Sequence, residues 1–79
     1  MQEKEAKTIF GMGGFSKAVI VPKPMGAGYH LHLIRFGKGG GDVIERQRGG
    51  WRVFSTMDAA ANTARAIGFR RIEIDLSTL

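Results

Sequence analysis

The chain has 79 residues, of which 43% are hydrophobic and 24% are charged, and this composition is that of one small globular domain. It contains no cysteine, so neither disulfide bonds nor thiolate metal sites can supplement a thin core. The longest apolar run, residues 18–21, is far too short to cross a bilayer, and the charged first residues do not form a secretory signal. We therefore expect a cytoplasmic protein without a membrane partner.

The charge of the chain is unevenly distributed. Twelve Lys and Arg residues against seven Asp and Glu residues give a net charge of +5, and segments 1–8 and 53–79 are each neutral. The excess therefore lies between residues 9 and 52, and most of it comes from Arg35, Lys38, Arg46, Arg48 and Arg52. Localised basic charge favours a polyanionic partner.

The first half of the chain predicts a flexible start followed by two strands. Residues 1–8 are polar without an apolar period, and residues 11–14 are glycine-rich, so we expect a flexible N-terminal segment at 1–14 before a single α+β domain at 15–79. Residues 16–21 are rich in β-branched side chains and stop at Pro22, which is typical of a strand. Residues 29–36 carry apolar side chains on both faces, and this predicts an interior strand.

The second half predicts a hairpin, a helix and a last strand. Residues 43–48 and 51–54 have strand patterns on either side of Gly49-Gly50, which suits a two-residue turn. A helix is expected at 55–67, with Ser55 as N-cap, Asp58 completing a capping box and Gly68 at the end. Residues 69–76 alternate like a strand with one solvated face. The order β-β-β-β-α-β predicts an α+β fold: a small antiparallel sheet of about five strands with one helix packed on one face.

Several kinds of site are excluded by residue type and spacing. The glycine runs lack the spacing of a P-loop or a dinucleotide fingerprint, and no cofactor is predicted. His30 and His32 share a strand face without a third ligand, so no metal site is predicted, although protonation below about pH 6.5 would add charge there. The three serines, Ser16, Ser55 and Ser77, have no base that would make one of them a nucleophile. The chain is therefore not predicted to be an enzyme.

The hairpin at 43–54 is the best candidate for a functional surface. With a two-residue turn, Arg48 faces Trp51 and Arg46 faces Val53, so that arginines and an indole share one face. Arginine beside an exposed aromatic ring is typical of nucleic-acid binding. Two alternatives stay open: Trp51 is a core residue with the arginines as its solvated rim, or a three-residue turn redistributes the faces.

Two stretches of the sequence resemble known proteins. The run WRVFSTMDAA at 51–60 has an aromatic residue, a Ser or Thr and Asp-Ala opening a short helix, after three predicted strands. Over residues 29–68 this pattern resembles the arm-binding domain of tyrosine recombinases, in which a three-stranded sheet enters the major groove and a helix backs it. The predicted strand after the helix departs from that family. Separately, RVFSTMDAA with AIGF at 66–69 is similar to small plasmid-borne accessory proteins of replication and partition.

These observations predict a small basic nucleic-acid-binding protein, with DNA as a better candidate than RNA, that works in plasmid or phage maintenance. The alternative is a protein-interaction or homodimerisation module, an accessory subunit that pairs through an exposed sheet edge or face and does not bind nucleic acid. The predicted contact residues are Arg35, Lys38, Arg46, Arg48, Trp51 and Arg52.

Overall fold

The computed structural model describes residues 1–37 and 40–77, so the predicted contact residue Lys38 lies outside the described residues. Within these ranges no helix is long and apolar enough to span a membrane. The elements, in chain order, are α1 (Glu3–Gly11), β1 (Phe15–Pro22), β2 (Tyr29–Arg35), β3 (Gly41–Val43), α2 (Met57–Ile67) and β4 (Ile72–Ile74).

The α+β class is confirmed, but the sheet differs from the predicted one. Its described part has four strands in the order β3-β2-β1-β4 instead of about five. The pairs β1–β2 and β2–β3 are antiparallel, whereas β4 runs parallel to β1, with Ala18 opposite Ile72. The reason is that α2 returns the chain from Phe54, which pairs with Tyr29, to Phe69, which packs beside Phe15 at the other end of the sheet. The last strand therefore starts where β1 starts.

The core lies on one face of the sheet, under both helices. Alternation along the two central strands brings Ile20, Leu31 and Leu33 to this face, and each is fully buried. From α2, Ala60 and Ala64 are also fully buried, and their small side chains let the helix lie close to the strands.

Helix α1 corrects the prediction of a flexible segment at 1–14. Ala6 is fully buried in the core, and the ring of Phe10 packs edge-to-face on Phe69 at a centroid distance of 4.8 Å. The side-chain amide of Gln2 donates to the carbonyl oxygen of Gln47 at 3.0 Å. The helix buries only a short stripe, so its apolar period is too brief to recognise in the sequence.

The predicted strands at 43–48 and 51–54 are wrong, because β3 ends at Val43 and only isolated bridges follow it. The N–H of Arg46 donates to the carbonyl oxygen of Gly50 at 2.9 Å, so the turn contains three residues, 47–49, instead of two. Glu45 then pairs with Trp51. We call residues 45–53, which project from the edge of β2, the side hairpin.

The ends of α2 and β4 also differ from the prediction. The N-cap is Thr56 instead of Ser55, because the Thr56 hydroxyl accepts the N–H of Ala59 at 3.0 Å. The helix ends at Gly68, as predicted, with a φ of 137°. Strand β4 begins only at Ile72, because Phe69 turns into the core and is 7% exposed.

Gly68 yields a test of this packing. A Cβ at Gly68 would lie 2.5 Å from ring carbons of Phe10, and its φ is one that L-residues rarely adopt. We expect Gly68→Ala to lower the free energy of unfolding by about 1–3 kcal/mol in urea denaturation.

The matched control is Gly11→Ala, where a Cβ meets no atom within 4 Å. This variant should keep the wild-type stability or gain up to about 1 kcal/mol, because alanine favours helix. Equal stability of the two variants would contradict the proposed role of the contact between Gly68 and Phe10.

Candidate nucleic-acid interface

The face of the sheet opposite the helices carries a mixture of apolar, aromatic and charged side chains. Strand register places them together, because Val19 lies opposite His32 and Glu73, while His32 lies opposite Val43. We call this surface the open face, and it comprises Lys17, Val19, Val21, His30, His32, Ile34, Val43 and Glu73. In the described part of the chain neither helix lies over this surface, because both pack on the opposite face.

Trp51 folds from the side hairpin onto the open face. Its ring lies 5.1 Å from the ring of His30 and 5.8 Å from that of His32, with interplanar angles of 86° and 78°. Both contacts are T-shaped, the geometry that aromatic quadrupoles favour. The indole is nevertheless 52% exposed, whereas His30 beneath it is only 8% exposed. The two histidines therefore hold an indole whose remaining surface faces solvent.

Both histidines have a lowered pKa, which favours their neutral form. Burial lowers the pKa of His30 below its ordinary value of 6.5, and the positive charge of Lys23 lowers it further. Burial also lowers the pKa of His32, as does His30, while Asp75 acts in the opposite direction. A neutral imidazole can pack against an indole without the free-energy cost of removing a charged group from water. Protonation, which the sequence suggested below about pH 6.5, therefore begins only at lower pH.

The structure separates the predicted contact residues. Arg46 and Arg48 lie in the side hairpin and are exposed; the Nε of Arg46 donates to the carbonyl oxygen of Gly49 at 3.2 Å. Arg48 forms neither a hydrogen bond nor an ion pair within residues 1–37 and 40–77. These two arginines remain on the same projecting segment as Trp51.

Arg35 and Arg52 are instead engaged within the fold. The Nε of Arg35 donates to the Asp42 carboxylate at 2.7 Å. Arg52 lies over the ring of Phe54 at 4.6 Å and its guanidinium is 3.6 Å from the Glu3 carboxylate. Because Phe54 is a core residue, Arg52 lies toward the helices and away from Trp51. The predicted face that joined Arg46, Arg48 and Trp51 by a two-residue turn is thus not formed, and the three-residue turn explains why.

Sequence reasoning missed a second basic group at the other edge of the sheet. Arg65, Arg70 and Arg71 have no acidic partner within the described residues, although their segment is neutral in sequence. The reason is that Glu73 binds Lys17, with 3.2 Å between Nζ and Oε2. Counting charges by segment could not find this group, because the ion pair joins distant parts of the chain.

Comparisons with known proteins do not add a functional assignment. No protein-family model, curated protein or solved structure matches this chain. The resemblances to recombinase arm-binding domains and to plasmid accessory proteins therefore stay predictions. Within the described ranges no three His, Asp or Glu side chains form a group that could hold a metal ion.

The histidine pKa values predict how stability depends on pH. Because both values are lowered on folding, the unfolded chain binds protons more readily than the folded chain. Stability should therefore be highest above the unfolded value of 6.5 and should fall on acidification. We expect a lower urea midpoint at about pH 5 than at about pH 7.5.

The variant His30→Gln/His32→Gln should show a weaker dependence on pH across this window. Asp75, whose pKa is lowered chiefly by its hydrogen bond with Ser77, titrates at still lower pH and does not obscure the effect. An equal drop in midpoint for the wild type and the double variant would show that other groups cause it.

Proposed function

We propose that this protein binds nucleic acid, DNA above all, by stacking a base on Trp51 at the open face of its sheet. The observation that carries the proposal is the half-exposed indole, held in T-shaped contact with His30 and His32. Base stacking on an aromatic side chain is tolerant of sequence and is worth about 1–3 kcal/mol per base.

The exposure of Trp51 argues against the alternative that it fills the core. Core residues such as Leu31 and Ile44 are fully buried, whereas Trp51 is 52% exposed. Contacts with two rings restrict the orientation of the indole, so little side-chain freedom is left to lose when a base stacks on it. An aromatic ring that is fixed in orientation and accessible to solvent can stack on a planar ligand such as a base.

The surrounding charge suits a phosphate backbone. Arg46 and Arg48 are exposed on the same side hairpin as Trp51, and Lys23 is close enough to His30 to lower its pKa. The acidic neighbour, Glu45, is 3.1 Å from the terminal amine of Met1, which offsets its charge. Bases within a duplex are already stacked on each other, so a stacking site of this kind favours single strands.

Trp51 is the only tryptophan, so its fluorescence reports on the site directly. We expect single-stranded DNA to quench this fluorescence and to bind more tightly than a duplex of the same sequence. Trp51→Ala should weaken binding about 5- to 150-fold in fluorescence anisotropy with labelled DNA, the equivalent of about 1–3 kcal/mol.

Trp51→Phe is the matched variant, since it keeps an aromatic surface at the same place. It should retain most of the affinity, and circular dichroism should show all three proteins folded. If folded Trp51→Ala binds DNA as tightly as the wild type, the open face is not the binding surface.

The two arginines of the side hairpin predict a change in the salt dependence of binding. Each phosphate neutralised on a single strand contributes about 0.7 to the slope of log affinity against log salt. We expect Arg46→Ala/Arg48→Ala to lower the slope by about 1.4 and to weaken binding at low salt.

The control is Lys4→Ala/Arg65→Ala, which removes the same charge from the exposed surfaces of α1 and α2. Its slope should match that of the wild type. Equal slopes for both double variants would mean that the overall charge of the chain, and not the side hairpin, attracts the DNA.

A further inference from the structure

Strand β4 presents an unpaired backbone edge. The N–H of Asp75 donates to the carbonyl oxygen of Ile20 at 2.9 Å, so the backbone groups of Glu73 and Asp75 point toward β1. Because strand residues alternate, the N–H and C=O groups of Ile72 and Ile74 point outward, and within the described residues no chain lies beyond them.

The opposite edge of the sheet is partly covered, at the end of β3. Met1 lies along the chain just after β3: its amine donates to the carbonyl oxygen of Val43 at 3.2 Å, and its own carbonyl oxygen accepts the N–H of Glu45 at 2.8 Å. Met1 thus occupies the end of this edge, whereas no segment of the described chain lies along β4.

The β4 edge also exposes apolar side chains beside a recess. Ile74 is 48% exposed, although it lies opposite the core residue Ile20, and Leu76, just after the strand, is 51% exposed. Next to them, where α2 does not reach over β4, is a recess of about 530 Å³ lined by Ala61, Arg65, Gly68, Phe69, Arg70 and Ile72.

We propose that β4 pairs antiparallel with β4 of a second copy of this chain, with Glu73 of one copy opposite Glu73 of the other. In this register Ile72 of each copy lies opposite Ile74 of the other. Both residues direct their backbone groups outward, so each pair can exchange two N–H···O bonds. Shifting the register by one residue would place outward groups opposite inward ones and remove these bonds.

The extent of β4 favours this register over its neighbours, because only here do all three residues of the strand lie opposite β4 of the other copy. Arg71 of each copy lies opposite Asp75 of the other, which gives two attractive cross-strand pairs. A shift by two residues in one direction would set Glu73 opposite Asp75, which is repulsive. A shift in the other direction would set Glu73 opposite Arg71, which is attractive, but Ile74 would then lie opposite Arg70, so that only Ile72 would pair within β4. The central pair of Glu73 carboxylates is offset by Lys17, which binds Glu73 at 3.2 Å in each copy.

Apolar side chains also contribute to the proposed contact between the two copies. Each exposed Ile74 packs against Ile72 of the other copy, and Leu76 follows it toward Arg70 at the mouth of the recess. Dimerisation thus covers apolar surface on the helix side while the charge pairs form on the other side. Of the open face, only Glu73 and its partner Lys17 lie at this contact, and Trp51 lies away from it beside the histidines of β2, so the dimer does not depend on nucleic-acid binding.

Analytical ultracentrifugation of the full chain tests the proposal through charge reversal. The wild type should sediment at twice its mass of 8.6 kDa as its concentration is raised from micromolar to millimolar. Arg71→Asp alone creates two pairs of facing acids, and Asp75→Arg alone creates two pairs of facing arginines. Each variant should be monomeric by itself, and an equimolar mixture should restore the dimer.

Lys4→Asp is the matched control, since it makes the same change of charge on α1 and should dimerise like the wild type. Circular dichroism checks that every variant is folded. A wild-type chain that stays monomeric at millimolar concentration overturns the proposal, as does a dimer that persists in both single variants. Failure of the mixture to associate overturns the register.

Discussion

The structure depends on the fact that both helices pack on the same face of one small sheet. The alternation along β1 and β2 divides the sheet into a side buried under the helices and an open side. Ile20, Leu31 and Leu33 lie on the buried side, whereas His30 and His32 lie on the other. The open side therefore follows from the packing of both helices on one face.

Three elements of the fold could be predicted from the residues within each element alone. Strands β1 and β2 and helix α2 lie close to their predicted positions, because the β-branched run before Pro22, the apolar residues after Tyr29 and the alanine-rich face before Gly68 are each unambiguous. Helix α1 was missed because it depends on tertiary contacts of Ala6 and Phe10 with the rest of the core. The parallel direction of β4 was missed as well, since strand pairing across α2 leaves no mark on sequence periodicity.

The candidate site was predicted only in part, and the reason is the register of the side hairpin. The turn lies at residues 47–49 instead of 49–50, so Trp51 pairs with Glu45 instead of Arg48, and this shift by an odd number of residues exchanges the faces. Trp51 consequently meets the histidines of β2, and Arg52 lies over Phe54 instead of beside Trp51. The sequence placed the two histidines on one face correctly, but nothing in their spacing showed that an indole would cover them.

The pairing of β4 with β1 also has a consequence for how the chain is made. Ala18 is synthesised long before its neighbour Ile72, so β1 emerges from the ribosome with one side unpaired. During that interval its apolar segment, residues 18–21, is the edge of an incomplete sheet instead of its interior. A chain that stops short of β4 would leave this edge exposed permanently, and such edges recruit other strands. The last short strand thus converts an aggregation-prone surface into the middle of the sheet.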